Sequence, residues 1–385
     1  MKNVIPYINM PQNLRDGLMT QIARQETDLG SYFVLTIKQV EPNFIASLRN
    51  TAEEAEFRFC VVDASGANFD EVFPSCFSFD GWTYGPFDIV CMVGSGFCLF
   101  LGKLGVIDAV SLFKLFEAAW DQRLRFPQED YSPIYANSLV SANALSKLFV
   151  FRTTLDLLHI KRAKKAISPS NTFSAVFAAI FVHAFMKVEG VDEVHLWMPW
   201  SMSGRISGYD GLGHTVGGFV RVNCSVNEDV CKTAANIQAE LNLLNDEKYL
   251  RRNTFRRRLF LSRFPWPISP LLVFLWGIRK RMVRNWSIAK KKFRLWCQLP
   301  EYRGKPVIQF NNAGRFAFPL DGLAWSPNLA SPYGSRFYLT CGFASNENEI
   351  HIGLLSRHME TNKLQQLSLE MIASCDDLVR YPIHK

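Results

Sequence analysis

The sequence lacks the short motifs by which several large enzyme classes are recognised. It contains no phosphate-binding loop, no GxGxxG after a predicted strand, no GxSxG and no HExxH. Each of these motifs has a defined chemical role. It binds a phosphate, presents a nucleophilic serine or binds a zinc ion. Their absence argues against a P-loop nucleotidase, a Rossmann-type dehydrogenase, an α/β-hydrolase and a zincin metalloprotease.

Long apolar runs and paired cysteines are also missing. The stretches 89–102, 172–186 and 265–278 are shorter than the roughly 20 apolar residues that span a bilayer. The first twenty residues contain no continuous apolar core of a secretory signal. The nine cysteines are odd in number and form no CxxC pair, which predicts reduced thiols and no metal site. We therefore expect a cytoplasmic protein without a bound metal or cofactor.

Positive charge is concentrated in one segment. The formal net charge is +8, and segment 248–300 contains fifteen Lys and Arg residues but no Asp or Glu. Aromatic and aliphatic residues alternate there with cations, which include Arg256, Arg257, Arg258, Lys290, Lys291 and Lys292. This basic segment is compatible with a solvated face, an anionic membrane surface, an acidic carrier protein or the phosphates of CoA. No nucleic-acid motif accompanies it, which disfavours a nucleic-acid partner.

Apolar periodicity predicts strands and helices in both halves of the chain. The strands are predicted at 32–40, 57–62, 87–93, 97–101, 193–198, 216–222, 306–310, 336–344 and 349–356. The helices are predicted at 43–56, 109–123, 171–187, 229–250 and 360–373. At 385 residues the chain exceeds one ordinary domain, and residues 156–171 are interpreted as a linker. We expect two α/β (α+β) lobes, 1–160 and 161–385.

One stretch combines a strand, a turn and a helix in a distinctive order. Residues 103–109 (KLGVIDA) follow the predicted strand 97–101, and Asp108 stands at the N-cap of helix 109–123. This order resembles the HHxxxDG region of the CoA-dependent acyltransferase superfamily, which includes chloramphenicol acetyltransferase and nonribosomal-peptide condensation domains. The Asp and the helix match that motif. Lys103 and Leu104 replace its two histidines, and Ala109 replaces its Gly.

Three later segments resemble further landmarks of the superfamily in the same order. Residues 198–205 (MPWSMSGR) are similar to a Pro…Arg segment, and residues 212–219 (LGHTVGGF) to a glycine-rich turn with His214 in place of Asn. Residues 309–314 (QFNNAG) are similar to the SNxG strand end. Together with the first stretch, the resemblance covers about residues 30–375.

The resemblance implies two chloramphenicol-acetyltransferase-like lobes around a central tunnel. Leu104, Ser201 and Asn312 would line that tunnel. Asp108 and Arg205 would form a buried ion pair, which would have a structural role, because the loss of one partner leaves the other charge buried.

The resemblance also implies an activity, although the usual base is missing. In the superfamily, the second motif histidine takes a proton from the attacking hydroxyl or amine, which Leu104 cannot do. Lys103, with a pKa lowered by desolvation, and His214 are the candidate replacements. Alternatively, alignment of the two substrates alone drives the reaction.

The expected enzyme moves an acyl or peptidyl group to a hydroxyl or amine. Its donor would be acyl-CoA or the phosphopantetheine thioester of an acyl-carrier protein. Two other interpretations stay open. The chain is a non-catalytic relative that binds or recruits a carrier protein or pathway enzyme, or it is a relative repurposed to another reaction.

Overall fold

Two six-stranded sheets organise the part of the chain that the computed structural model describes. The described residues are 33–37, 41–64, 86–103, 106–107, 109–125, 135–136, 149–167, 170–201, 217–246, 249, 305–315, 324–327, 337–356 and 358–380. The first sheet has the order β10-β1-β4-β3-β2-β5 and contains β1 (Phe33–Ile37), β2 (Phe59–Ala64), β3 (Ile89–Gly94), β4 (Phe97–Gly102), β5 (Tyr135–Ala136) and β10 (Ala324–Pro327). The second has the order β6-β12-β11-β9-β7-β8 and contains β6 (Phe149–Asp156), β7 (Glu193–Ser201), β8 (Gly217–Ser225), β9 (Val307–Arg315), β11 (Leu339–Ser345) and β12 (Glu349–Ser356).

Each sheet packs against its own helices, so the fold has two lobes of mixed α/β structure. The helices α1 (Pro42–Glu54) and α2 (Ala109–Gln122) pack with the first sheet. The second lobe contains the remaining helices, α3 (Leu157–Ile167), α4 (Phe173–Glu189), α5 (Val230–Asn242) and α6 (Thr361–Arg380). The predicted fold class, α/β (α+β) in two lobes, is confirmed.

The first lobe is built around the β3–β4 hairpin that the sequence predicts. Gly96 adopts a φ of 78° in the turn, a conformation that favours glycine. The buried face of β4 contributes Phe100, whose ring lies 4.8 Å from Phe116 of α2 and 6.3 Å from Phe44 of α1, measured between centroids. Edge-to-face ring contacts of this kind stabilise the packing of both helices on the sheet.

The second lobe is built around α4, in which every residue from Ala175 to Val182 and from Ala184 to Met186 is buried. Thr172 caps the start of this helix by accepting a hydrogen bond from the Ala175 amide at 3.3 Å, and Gly190 ends it with a φ of 65°. Its side chains Phe177 and Phe181 pack on Phe310 of β9. The prediction of a core helix is therefore confirmed. None of the helices among the described residues is long and apolar enough to cross a membrane.

Each sheet contains a strand that comes from the other half of the chain. β10 pairs antiparallel with β1 in the first sheet and also packs against β11 and β12 of the second. Conversely, β6 lies in the second sheet, where it pairs antiparallel with β12. The division into 1–160 and 161–385 stays a prediction.

Residues 156–171 were predicted to be a linker, and this prediction is wrong. Most of the segment is helix α3, which buries Leu157, Ile160, Ala163 and Ile167 against the second lobe. These residues recur every three or four positions and therefore lie on one face. Four Lys and Arg residues lie between them, and this run of charge conceals the apolar stripe.

Two predicted strand ends also require correction. β7 continues through Pro199 to Ser201, beyond the predicted end. The pairing of β7 with β9 ends at Trp197. Pro199 lies beyond this ladder, at a place where a missing N–H is tolerated. β9 likewise continues to Arg315, so the SNxG-like residues lie inside a strand and not after it.

We expect the buried thiols to react far more slowly in the folded protein than in the unfolded one. Burial raises the pKa of Cys60, Cys224 and Cys375 to about 12, which suppresses the reactive thiolate. Alkylation at pH 8 followed by peptide mass spectrometry measures the rate at each site. Cys231 is only partly buried and is the internal comparison, which should react faster. Equal rates at all four cysteines in the folded protein would contradict this burial.

Candidate functional site

Lys103 is buried directly after β4, and its side chain is 4% exposed. The backbone of this residue forms the turn. Its N–H donates to the Asp88 carbonyl at 2.8 Å, and its carbonyl accepts from the Val106 and Ile107 amides at 3.0 and 3.1 Å. Main-chain hydrogen bonds therefore fix the turn, and they do not depend on the lysine side chain. A buried lysine amine is costly unless polar groups surround it, which makes this position chemically unusual.

The turn after β4 lies where the two lobes meet. Val106 and Ile107 are buried in the same apolar cluster as Phe113 of α2. That cluster also contains Ala313 of β9 and Ala344 of β11, which come from the second sheet. The structure therefore brings the segment that resembles HHxxxDG to the strand that contains Asn312.

The amide of Asn312 connects β9 to the start of α4. Its Nδ2 donates to Ser174 Oγ at 2.7 Å, and its Oδ1 accepts from the Gly314 amide at 2.7 Å. Gly314 has a φ of 97°, which explains the need for glycine at this place. Asn312 is exposed, and these two hydrogen bonds hold its amide in one orientation inside β9.

Of the other predicted site residues, only the backbone of Ser201 is described. It is the last residue of β7 and pairs with Gly217 of β8. Outside the described residues lie Leu104, Asp108, Arg205, His214, Arg256, Arg257, Arg258, Lys290, Lys291 and Lys292. The predicted ion pair, the His214 alternative and the role of the basic segment therefore stay predictions.

His351 is a further candidate site residue, and no sequence motif points to it. It is 3% exposed on β12 and pairs in register with Ala344, a member of the cluster between the lobes. Its Nδ1 lies 3.5 Å from Thr154 Oγ1 and its Nε2 lies 3.5 Å from Asn346 Nδ2. A histidine between two isoleucines of the predicted strand 349–356 was the available signal, because buried histidines need such partners. All histidines among the described residues lie in the second lobe.

Comparison with known proteins identifies the fold. No protein-family profile matches the sequence, and no curated protein matches it by sequence. Solved structures do match. They include the cyclization-docking bidomain of the EpoB nonribosomal peptide synthetase from Sorangium cellulosum, with a TM-score of 0.53, 9% identity and coverage of 94% of this chain and 84% of that one. Polyketide synthase associated protein 5 from Mycobacterium tuberculosis also matches, with a TM-score of 0.53, 10% identity and coverage of 93% and 97%.

A third match is the condensation domain of the Monacolin K polyketide synthase MokA, with a TM-score of 0.51, 9% identity and coverage of 96% of both chains. This chain has the condensation-domain fold. The fold that the sequence resemblance implied is therefore confirmed over nearly the whole length. Because function lies in particular residues and not in a fold, the activity has to be argued from the site itself.

Proposed function

We propose that this condensation-like protein binds an acyl or peptidyl thioester between its lobes and transfers the acyl group to an amine or hydroxyl. The observation that supports this function is the buried Lys103, which directly follows β4 beside the cluster shared by both lobes. In the reaction, the acceptor nitrogen or oxygen forms a bond to the thioester carbonyl carbon. The carbon–sulfur bond breaks, and the acceptor's proton ends on the released thiol.

Lys103 offers two ways to accelerate this reaction. As a neutral amine it takes the proton of the attacking group, and as an ammonium it stabilises the negative oxygen of the tetrahedral intermediate. Both roles use the same buried position, where electrostatic interactions are stronger than in water. They differ in how substitution by arginine affects the rate.

The donor we propose is acyl-CoA or the phosphopantetheine thioester of a carrier protein. The basic segment 248–300 supplies the positive charge that would attract CoA phosphates or an acidic carrier protein. The same charge would hold the protein at an anionic membrane surface. Binding that weakens as salt rises would support the electrostatic part of this proposal.

A non-catalytic role is the second candidate, and Leu104 is the observation that favours it. Leu104 occupies the position at which the CoA-dependent acyltransferase superfamily, which this segment resembles, has its proton-accepting histidine. In that role the chain would bind and recruit a carrier protein or a pathway enzyme. A relative repurposed to another reaction would show neither thiol release nor such recruitment.

Release of free thiol from the donor distinguishes these functions. Purified protein is mixed with short-chain or long-chain acyl-CoA, or with acyl-loaded carrier protein, and with a panel of amines and alcohols. The proposed transferase releases thiol at a rate that saturates with donor and acceptor and produces one acylated acceptor by mass spectrometry. Tight carrier-protein binding without thiol release would support recruitment and contradict transfer.

A further inference from the structure

Three buried polar side chains lie together on the face of the second sheet that is turned away from its helices. Gln309 and Asn311 belong to β9, Thr340 belongs to β11, and their exposures are 3%, 2% and 0%. Their neighbours Ile308 and Phe310 lie in the helix-facing core. Because side chains alternate along a strand, Gln309 and Asn311 lie on the opposite face. These three residues form a polar row.

Each member of the polar row has a buried atom without a hydrogen-bond partner. The atoms are Gln309 Oε1, Asn311 Nδ2 and Thr340 Oγ1. Buried polar groups in native proteins are nearly always paired, because an unpaired one loses its hydration without compensation. Three such atoms on one face are therefore available to pair with a water molecule or a ligand.

Sheet register places the three residues side by side. Thr340 is the direct partner of Gln309, and Gly342 is the partner of Asn311. Neighbouring strands are about 4.8 Å apart, and residues two apart along a strand are separated by about 7 Å. The polar row thus offers one acceptor, one donor and one hydroxyl. These groups are spaced so that the N–H and the carbonyl of one secondary amide can reach them.

The polar row lies on the side of the second sheet where the first lobe packs against it. Gly342 and its partner Gly353 contribute no side chain to this face. β10, which pairs within the first sheet, packs against β11 and β12. The row is therefore on the strands that face the connection between the lobes, and not in the apolar core around α4.

We infer that the polar row binds a secondary amide of the substrate chain. This inference rests on the proposed function, since it names the chemistry of the thioester that would lie between the lobes. The amide N–H would donate to Gln309 Oε1, the amide carbonyl would accept from Asn311 Nδ2, and Thr340 Oγ1 can serve either side. A plain alkyl chain would leave all three atoms unpaired. The amide can belong to the acyl group or to the pantetheine arm of the donor.

Two CoA thioesters of similar length separate these sources. N-acetylglycylglycyl-CoA carries amides in its acyl group, whereas octanoyl-CoA carries amides only in its pantetheine arm. Calorimetry gives the dissociation constant of each for the wild type, Thr340→Val and Gln309→Met. Both variants keep the approximate shape of the side chain and remove its hydrogen-bonding group. Thr153→Val is the control, because Thr153 pairs with core residue Ile352 on the helix-facing side of the sheet.

We expect Thr340→Val and Gln309→Met to weaken binding roughly three- to tenfold, the effect of one hydrogen bond. Weakening confined to the peptidyl thioester assigns the bound amide to the acyl group, and equal weakening of both assigns it to the pantetheine arm. The free Thr340→Val protein should melt at the same temperature as the wild type or higher, because an unpaired hydroxyl has been removed. If the Thr340 hydroxyl instead made a structural hydrogen bond within the protein, its removal would lower the melting temperature.

Two results would overturn the inference, and they are distinguishable. If the wild type binds both thioesters and neither variant changes either dissociation constant, the polar row does not bind an amide, while the proposed function stands. If the folded wild type binds neither thioester, the proposed function fails and the inference fails with it.

Discussion

Replacing Lys103 with methionine should lower acyl transfer by about 100-fold or more while the protein stays folded. A positioned acid or base typically contributes 10²- to 10⁴-fold to a rate, and methionine keeps the linear shape while removing the amine. Folding should survive because the turn is held by the main chain of Lys103, whose N–H and carbonyl form its hydrogen bonds. The measurements are kcat for thiol release and the melting temperature of the variant.

Two further substitutions decide how Lys103 acts. Lys103→Arg keeps the charge but cannot become a neutral base, so retained activity indicates an ammonium and lost activity indicates a neutral amine. Lys114→Met is the matched control, since Lys114 is exposed on α2 and its loss should leave kcat unchanged. Full activity in Lys103→Met would contradict the assigned role. If activity also survived in His214→Ala, catalysis by substrate alignment would be the remaining explanation.

Phe310→Ala should cost about 3–5 kcal/mol of the free energy of unfolding, the usual penalty for removing a buried aromatic ring. Phe310 is fully buried on β9. Its ring centroid lies 5.6 Å from Phe177, 5.5 Å from Phe181 and 5.0 Å from Phe343. The substitution therefore leaves a cavity between the central strand of the second sheet and α4. Urea unfolding measures the loss from the shift in midpoint at constant slope.

A surface leucine provides the control for this truncation. Leu369 on α6 is 59% exposed, and Leu369→Ala should change the free energy of unfolding by less than about 0.5 kcal/mol. A similarly small effect of Phe310→Ala would mean that β9 does not pack on α4 as described. Because β9 also contains Asn312 and two members of the polar row, that result would remove the support for the site as well.

The fold was predictable where one local signal was strong. The Gly94–Gly96 turn between apolar runs predicted the β3–β4 hairpin, and the mainly apolar run after Thr172 predicted α4. β10 and β6 were missed, because a strand that joins the other half's sheet is determined by distant partners and leaves no local pattern. α3 was missed because four Lys and Arg residues interrupt its apolar positions, which gives the segment the appearance of an exposed linker.

The candidate site was predictable only in part, for a similar reason. Lys103 was predicted because it occupies a motif position, and the structure shows that it is buried. Its catalytic role stays a prediction. Gln309 and Asn311 alternate with Ile308 and Phe310, a pattern typical of a strand with one polar face. That the polar face is buried, and that Thr340 lies beside Gln309, depends on sheet register, which the sequence does not reveal.

Thermal unfolding with and without donor thioesters tests the central claim most directly. The protein is melted alone and with CoA, short-chain acyl-CoA, long-chain acyl-CoA and acyl-loaded carrier protein. A donor at 100 times its dissociation constant should add about 2.7 kcal/mol to the free energy of unfolding and raise the melting temperature, with acyl donors acting more strongly than free CoA. A cooperative melting curve that no donor shifts would contradict the claim that this fold binds an acyl thioester between its lobes.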